Sequence, residues 1–163
     1  MAEIAASTLD AYLGKSIGQI CGNRYTTPHE SHCAHFVCHA LEIKIGTLCG
    51  DMQWKTRHTA ATLRVNELYN GLANRGPWDQ RPSKSKTQIV FVIRKAYMTH
   101  NIMQLVDQKH VGIYLNGAVY NYSNSHHRVV KDESDQAFYK KFDELYAGDD
   151  IALYYGARRS FWS

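Results

Sequence analysis

The chain has 163 residues, of which 44% are hydrophobic, so it is long enough to bury the core of one ordinary domain. Its net charge of +4 is modest, and its basic residues are scattered apart from Arg81–Lys86 and the pair at 158–159, which disfavours nucleic acid as the main partner. No apolar run approaches the roughly 18 residues of a membrane span. We therefore expect a single domain over residues 1–163, with no membrane span.

Apolar spacing predicts three helices in the first half of the chain. The first covers 7–22, the second begins at Cys33 and stops near Gly46, and the third covers 61–72 and is closed by Gly76-Pro77. A polar loop over 22–32 leads into the second helix.

The second half has the patterns of strands. Ile89–Ile93 is a continuous β-type run, which is typical of a strand covered on both faces. His110–Leu115 and Ala118–Ser123 flank an Asn-Gly pair and predict a β-hairpin. A short strand over 128–131, a helix marked by residues 138, 142 and 145, and a strand over 151–155 follow, while 94–108 remain unassigned. Helices packed on a mostly antiparallel sheet are typical of an α+β fold.

Cys33 occupies the predicted first turn of its helix. With Phe36, Val37 and Ala40 it forms one helical stripe, so its sulfur should point toward the sheet. The first turn carries unpaired backbone N–H groups and the positive end of the helix dipole, which favours a thiolate and can bind an oxyanion.

The hairpin supplies a candidate base for this thiol. A two-residue loop pairs Gly112 with Asn121, so His110 and Asn121 become diagonal neighbours on one face, with Gly112 leaving room between them. A histidine held by an amide oxygen is the arrangement that thiol catalysis needs. Ser123, directly opposite His110, is the alternative orienting residue. We expect Cys33 and His110 to meet across one cleft.

These residues carry a family resemblance. His32-Cys33-Ala34-His35-Phe36-Val37, the later His110-Val111-Gly112-Ile113-Tyr114-Leu115 and Val119-Tyr120-Asn121 resemble the NlpC-type family of papain-fold cysteine peptidases, which cut bacterial peptidoglycan peptides. The resemblance implies a papain-like fold, with Cys33 as nucleophile, His110 as base and Asn121 as the orienting residue, where the family more often has histidine. His32 and His35 replace the family's usual acid and glycine, and Tyr25 is a loose candidate for its upstream tyrosine.

The resemblance implies a peptidoglycan amidase that uses no cofactor and no metal. The first residues have neither the basic segment nor the long apolar core of a secretory signal. A compact domain of this kind also resembles the amidase effectors that bacteria inject into rivals by type VI secretion. We therefore expect synthesis in the cytoplasm, export to the periplasm of a target cell, and an immunity protein as a partner.

Two other functions stay open. One is a papain-like thiol hydrolase that acts on a non-wall protein. The other is a metal-binding interaction domain, because His29, His32, His35, Cys38 and His39 crowd around Cys33 and His35 and His39 have i, i+4 spacing. A helix cannot aim residues 33, 35, 38 and 39 at one point, so zinc is not the preferred interpretation.

The other cysteines are assigned to packing. These are Cys21, Cys38 and Cys49, with a disulfide after export as the open alternative.

Overall fold

The computed structural model describes residues 4–22, 31–49, 62–82, 86–146 and 150–157. In these ranges the chain is α+β, as expected, with a few helices packed on an antiparallel sheet. The helices are α1 (Ala6–Asp10), α2 (Ile17–Ile20), α3 (Cys33–Leu41), α4 (Val65–Gly71) and α5 (Asp135–Leu145). The strands are β1 (Asn74–Pro77), β2 (Thr87–Arg94), β3 (Met98–Thr99), β4 (Ile102–Met103), β5 (Lys109–Leu115), β6 (Ala118–Ser123), β7 (Arg128–Asp132) and β8 (Ile151–Ala157).

The main sheet has six strands in the order β1-β8-β2-β5-β6-β7, and each neighbouring pair is antiparallel. Strands β3 and β4 form a separate small ribbon in the segment that the sequence left unassigned. None of the described helices is both long and apolar enough to cross a bilayer.

Strand β2 is buried along nearly its whole length, which confirms the prediction from its continuous apolar run. One face of the sheet packs against α3 and contains Val111 and Ile113; we call it the α3 side. The other packs Val90 and Val92 against α5 and is called the α5 side. The sheet is therefore a middle layer with apolar contacts on both faces.

The hairpin between β5 and β6 has the predicted turn and register. Asn116 and Gly117 have φ angles of 52° and 88°, the positive values that a type I′ turn requires. Leu115 pairs with Ala118 and Gly112 with Asn121. Because the side-chain period of a strand is two, this register fixes which residues of β5 and β6 share a face.

The helices differ from the sequence prediction in their ends. The predicted helix over 7–22 is two short helices, since Gly14 has a φ of +81° and donates its N–H to the Val129 carbonyl. Helix α3 ends at Leu41 rather than near Gly46, because Glu42 adopts a left-handed conformation with a φ of 57°.

One further prediction needs correction, and several others fall on residues that the structure does not describe. Gly76-Pro77 does not simply close a helix but belongs to β1, at the edge of the sheet, where a proline is tolerated. Tyr25, His29, residue 61 and the pair at 158–159 lie outside the described residues.

Candidate functional site

His110 lies near the start of β5 and faces the α5 side. Its imidazole stacks on Phe142, with ring centroids 4.5 Å apart, and only 5% of the residue is exposed. Its Nε2 atom lies 3.0 Å from Oδ1 of Asn121 on β6. The diagonal contact that the hairpin register predicted is therefore made, although a catalytic role for either residue stays a prediction.

The orientation of Asn121 is determined by charged neighbours. Its Nδ2 donates to Oδ2 of Asp132 over 2.9 Å, and Nζ of Lys141 lies 2.6 Å from the same oxygen. Because an ionised carboxylate only accepts hydrogen bonds, Asn121 must turn Oδ1 toward His110. His110 therefore carries its proton on Nε2 and donates it to Asn121, which leaves Nδ1 as the basic nitrogen.

The surroundings keep His110 neutral. Burial, the largest cause, and the positive charge of Lys141 lower the pKa of His110, whereas the hydrogen bond to Asn121 and the charge of Asp132 raise it; the net pKa is about 4. At neutral pH the imidazole can therefore accept a proton.

Cys33 is the first residue of α3 and is 1% exposed. The Oγ atom of Ser31 lies 3.5 Å from its sulfur. Burial raises the pKa of Cys33, while the contact with Ser31 and the nearby backbones of Ala34 and Val111 lower it. Because the burial effect dominates, the sulfur is a neutral thiol in this state.

Cys33 and His110 lie beside the same strand but on its two faces. The sulfur belongs to the core on the α3 side together with Val111, the residue after His110. Successive side chains of a strand point to opposite faces, so the imidazole lies on the α5 side. The structure joins His110 to Asn121, and it makes no hydrogen bond between His110 and Cys33, both of which are described.

A cavity of about 820 Å³ borders His110 and Asn121, and Cys33 is not among the residues that line it. Its lining also includes Ser31, two residues before Cys33, and Tyr146, which follows α5. Burial raises the pKa of the Tyr146 phenol, and the charge of an ionised Cys33 raises it further. The Cys33 sulfur therefore lies within electrostatic range of a residue that lines this cavity.

The remaining predicted partner of His110 makes other contacts. Ser123 Oγ lies 3.0 Å from Nδ1 of His126 and 3.3 Å from Oγ of Ser125. Asp132 and Lys141 were not among the residues predicted from the sequence. The alternation of β7 could have indicated Asp132 as a diagonal neighbour of Asn121, but the approach of Lys141 depends on how α5 packs.

A second polar cluster lies on the α3 side. Cys21, His35, His39 and Cys49 each direct one possible ligand atom to a region in which all four atoms lie within 4.8 Å of one another. Cys21 and Cys49 were predicted to be packing residues, and the i, i+4 spacing of His35 and His39 indicated a metal pair but not these two partners. Cys38 does lie in the apolar core.

Comparison of the chain with protein-family models, with curated proteins and with solved structures found no match in any of the three.

Proposed function

We propose that the chain is a thiol hydrolase of the papain-like, NlpC type, in which Cys33 is the nucleophile, His110 the base and Asn121 the orienting residue. The observation that carries the proposal is the cavity shared by the His110–Asn121 pair and Ser31, whose hydroxyl contacts the Cys33 sulfur. The proposal is supported by the base and the orienting group, which both border this cavity, and by Ser31, which borders it too and contacts the nucleophile.

The proposed reaction forms and breaks one acyl bond at the sulfur. Nδ1 of His110 takes the Cys33 proton as the sulfur attacks the amide carbon, and the imidazolium then protonates the leaving amine. Water, deprotonated by His110, releases the acid and restores the thiol. Backbone N–H groups at the start of α3 stabilise the oxyanion. Asn121, fixed by Asp132, holds Nδ1 toward the reacting atoms.

Because the sulfur is buried, the proposed reaction requires a conformational change. Since Cys33 is 1% exposed, the side chains between it and the cavity must move when a substrate peptide enters. Tyr146 is the residue best placed to do so, because it lines the cavity and is only partly buried. The neutral thiol then loses its proton only in the presence of substrate.

The proposed substrate is an amide bond of a peptidoglycan stem peptide or crosslink. Support comes from the His110-to-Leu115 motif and from the net charge of +4, which favours approach to an anionic wall. As an antibacterial effector delivered by type VI secretion, the protein would act in the periplasm of a target cell and be blocked by an immunity protein that covers the cavity.

Purified peptidoglycan sacculi provide the test. The wild-type protein should release peptide fragments whose masses identify the bond, while Cys33→Ala and His110→Ala should lower release by about 10³-fold or more. Cys38→Ala changes a buried cysteine of the same helix and should leave release unchanged. Activity that survives in Cys33→Ala rules out the proposed nucleophile.

The same experiment separates the alternative substrate. If sacculi stay intact while a peptide electrophile labels Cys33 and not Cys38, the wall substrate is wrong and a non-wall protein substrate replaces it. If Cys33 is not labelled and no fragment is released, the hydrolase proposal itself fails.

A further inference from the structure

We propose that Cys21, His35, His39 and Cys49 bind one Zn²⁺ ion as a structural site. Two thiolates and two imidazoles are a donor set that zinc prefers, and four protein ligands leave no position for substrate. The site is separate from the proposed reaction, because none of these residues lines the cavity that contains His110.

Three distances between the ligand atoms match the edges of a tetrahedron around zinc. Ordinary Zn–S and Zn–N bond lengths place two sulfurs about 3.8 Å apart, two nitrogens about 3.3 Å apart, and a sulfur about 3.6 Å from a nitrogen. The sulfurs of Cys21 and Cys49 are 3.8 Å apart, and the Nε2 atoms of His35 and His39 are 3.1 Å apart. Cys49 Sγ lies 3.6 Å from His39 Nε2. These three distances fall within about 0.2 Å of their expected values, and all four ligand atoms lie within 4.8 Å of one another.

The chain brings these ligands together from three places. His35 and His39 are one turn apart on α3, Cys21 follows the last residue of α2, and Cys49 lies beyond the end of α3. The sulfurs at 3.8 Å are too far apart for a disulfide, whose S–S bond is about 2.0 Å long. A metal ion would therefore tie the segments before and after α3 to the helix itself.

The burial of the four residues favours a site with no net charge. Cys21, His35 and Cys49 are buried, and His39 is partly buried. A buried site must have nearly no net charge, and Zn²⁺ with two thiolates and two neutral imidazoles meets that condition.

An outer contact fixes one of the imidazoles. Nδ1 of His35 lies 3.1 Å from Nδ1 of His32, the residue that precedes α3. If Nε2 of His35 binds the metal, its Nδ1 carries the proton and donates to His32, a common arrangement for histidine ligands. The proposed metal thus also holds the residue next to Cys33.

Metal analysis of the whole chain tests the site without depending on hydrolysis. Protein purified under reducing conditions, without chelator and without a histidine tag, should contain one zinc per chain by native mass spectrometry and elemental analysis. Replacement by Co²⁺ should give the visible absorption of tetrahedral cobalt and a thiolate charge-transfer band.

Matched variants identify the ligands. The double variant Cys21→Ser/Cys49→Ser should lose the zinc and both cobalt bands, whereas Cys38→Ala should keep them. If the double variant does not fold, the cobalt spectrum of the wild type still shows whether a tetrahedral thiolate site is present. Zinc-free, reduced protein that stays metal-free after incubation with Zn²⁺, or zinc retained by the double variant, would each overturn the site.

Discussion

The two sides of the sheet contain different kinds of polar groups. On the α5 side, His110, Asn121, Asp132 and Lys141 form a hydrogen-bonded chain that reaches a cavity. The charged end of this chain is the most exposed part, with 34% of the Lys141 side chain and 18% of the Asp132 side chain accessible. Such a chain orients one histidine and leaves its Nδ1 available for proton transfer.

On the α3 side, the polar atoms converge on a point rather than forming a chain. Cys21, His35, His39 and Cys49 lie inside or beside the main core, and this group contains no carboxylate. The comparison teaches that the arrangement of the donors, and not only their residue types, separates the proposed proton-transfer site from the proposed metal site. We expect the following changes to affect the two sides independently.

Metal removal should have the largest effect. Chelation of the proposed zinc should lower the free energy of unfolding by about 5 kcal/mol and the melting temperature by about 10–20 °C, because metal binding and folding are coupled. Thermal unfolding with and without a chelator measures this. Cys38→Ala should respond as the wild type does, while Cys21→Ser/Cys49→Ser should not respond; equal melting temperatures in the wild type with and without chelator would contradict the prediction.

The titration of His110 should make stability depend on pH. Its pKa of about 4 is below the ordinary value near 6.5, so the unfolded chain binds more protons between these values. The stabilisation is complete above pH 6.5 and is lost as pH falls through about 4, in total about 3 kcal/mol.

Denaturant titrations across this range provide the measurement. In His110→Gln the side chain cannot titrate but can still donate to Asn121. On acidification, the variant should therefore lose about 3 kcal/mol less stability than the wild type does. The charged groups that face His110 are Asp132 and Lys141, and both are kept in this variant. Parallel pH profiles of the two proteins would show that His110 is not held neutral.

The two candidate orienting residues should differ in their effect on turnover. Asn121→Ala should lower kcat by about 10²-fold, because His110 loses the acceptor that fixes its tautomer. Ser123→Ala should leave kcat within about twofold, since Ser123 contacts Ser125 and His126 instead. Steady-state kinetics on released wall fragments compare them, and a larger loss in Ser123→Ala would assign the orienting role to Ser123.

The smallest expected effect comes from a comparison of substitutions at two adjacent lysines of α5. Lys141→Met removes a positive charge that lowers the pKa of His110, so the acid limb of the kcat profile should move to higher pH. The loss of kcat itself should be only about 3- to 10-fold, because Asp132 still binds Asn121. Lys140→Met changes an exposed side chain and should leave the profile unchanged. Identical acid limbs in both variants would contradict the proposed network.

Much of the sheet was predictable because its signals are local. The Asn116-Gly117 turn determined the hairpin register, and the register made His110 and Asn121 neighbours. The split of the first helix was not predictable in the same way, since it depends on Gly14 pairing with Val129 far along the chain. The pairing of β1 with β8 likewise joins distant segments.

The candidate sites likewise combine features set by the local sequence with contacts between distant segments. The sequence by itself determined which residues could carry the chemistry and which faces of β5 and β6 they occupy, because turn chemistry and strand periodicity act over a few residues. Only the tertiary structure decided that Cys33 is buried on the face opposite His110, that Lys141 reaches Asp132, and that Cys21 and Cys49 meet the α3 histidines. Those contacts depend on how whole helices pack, and no local pattern encodes a distance between segments far apart in the chain.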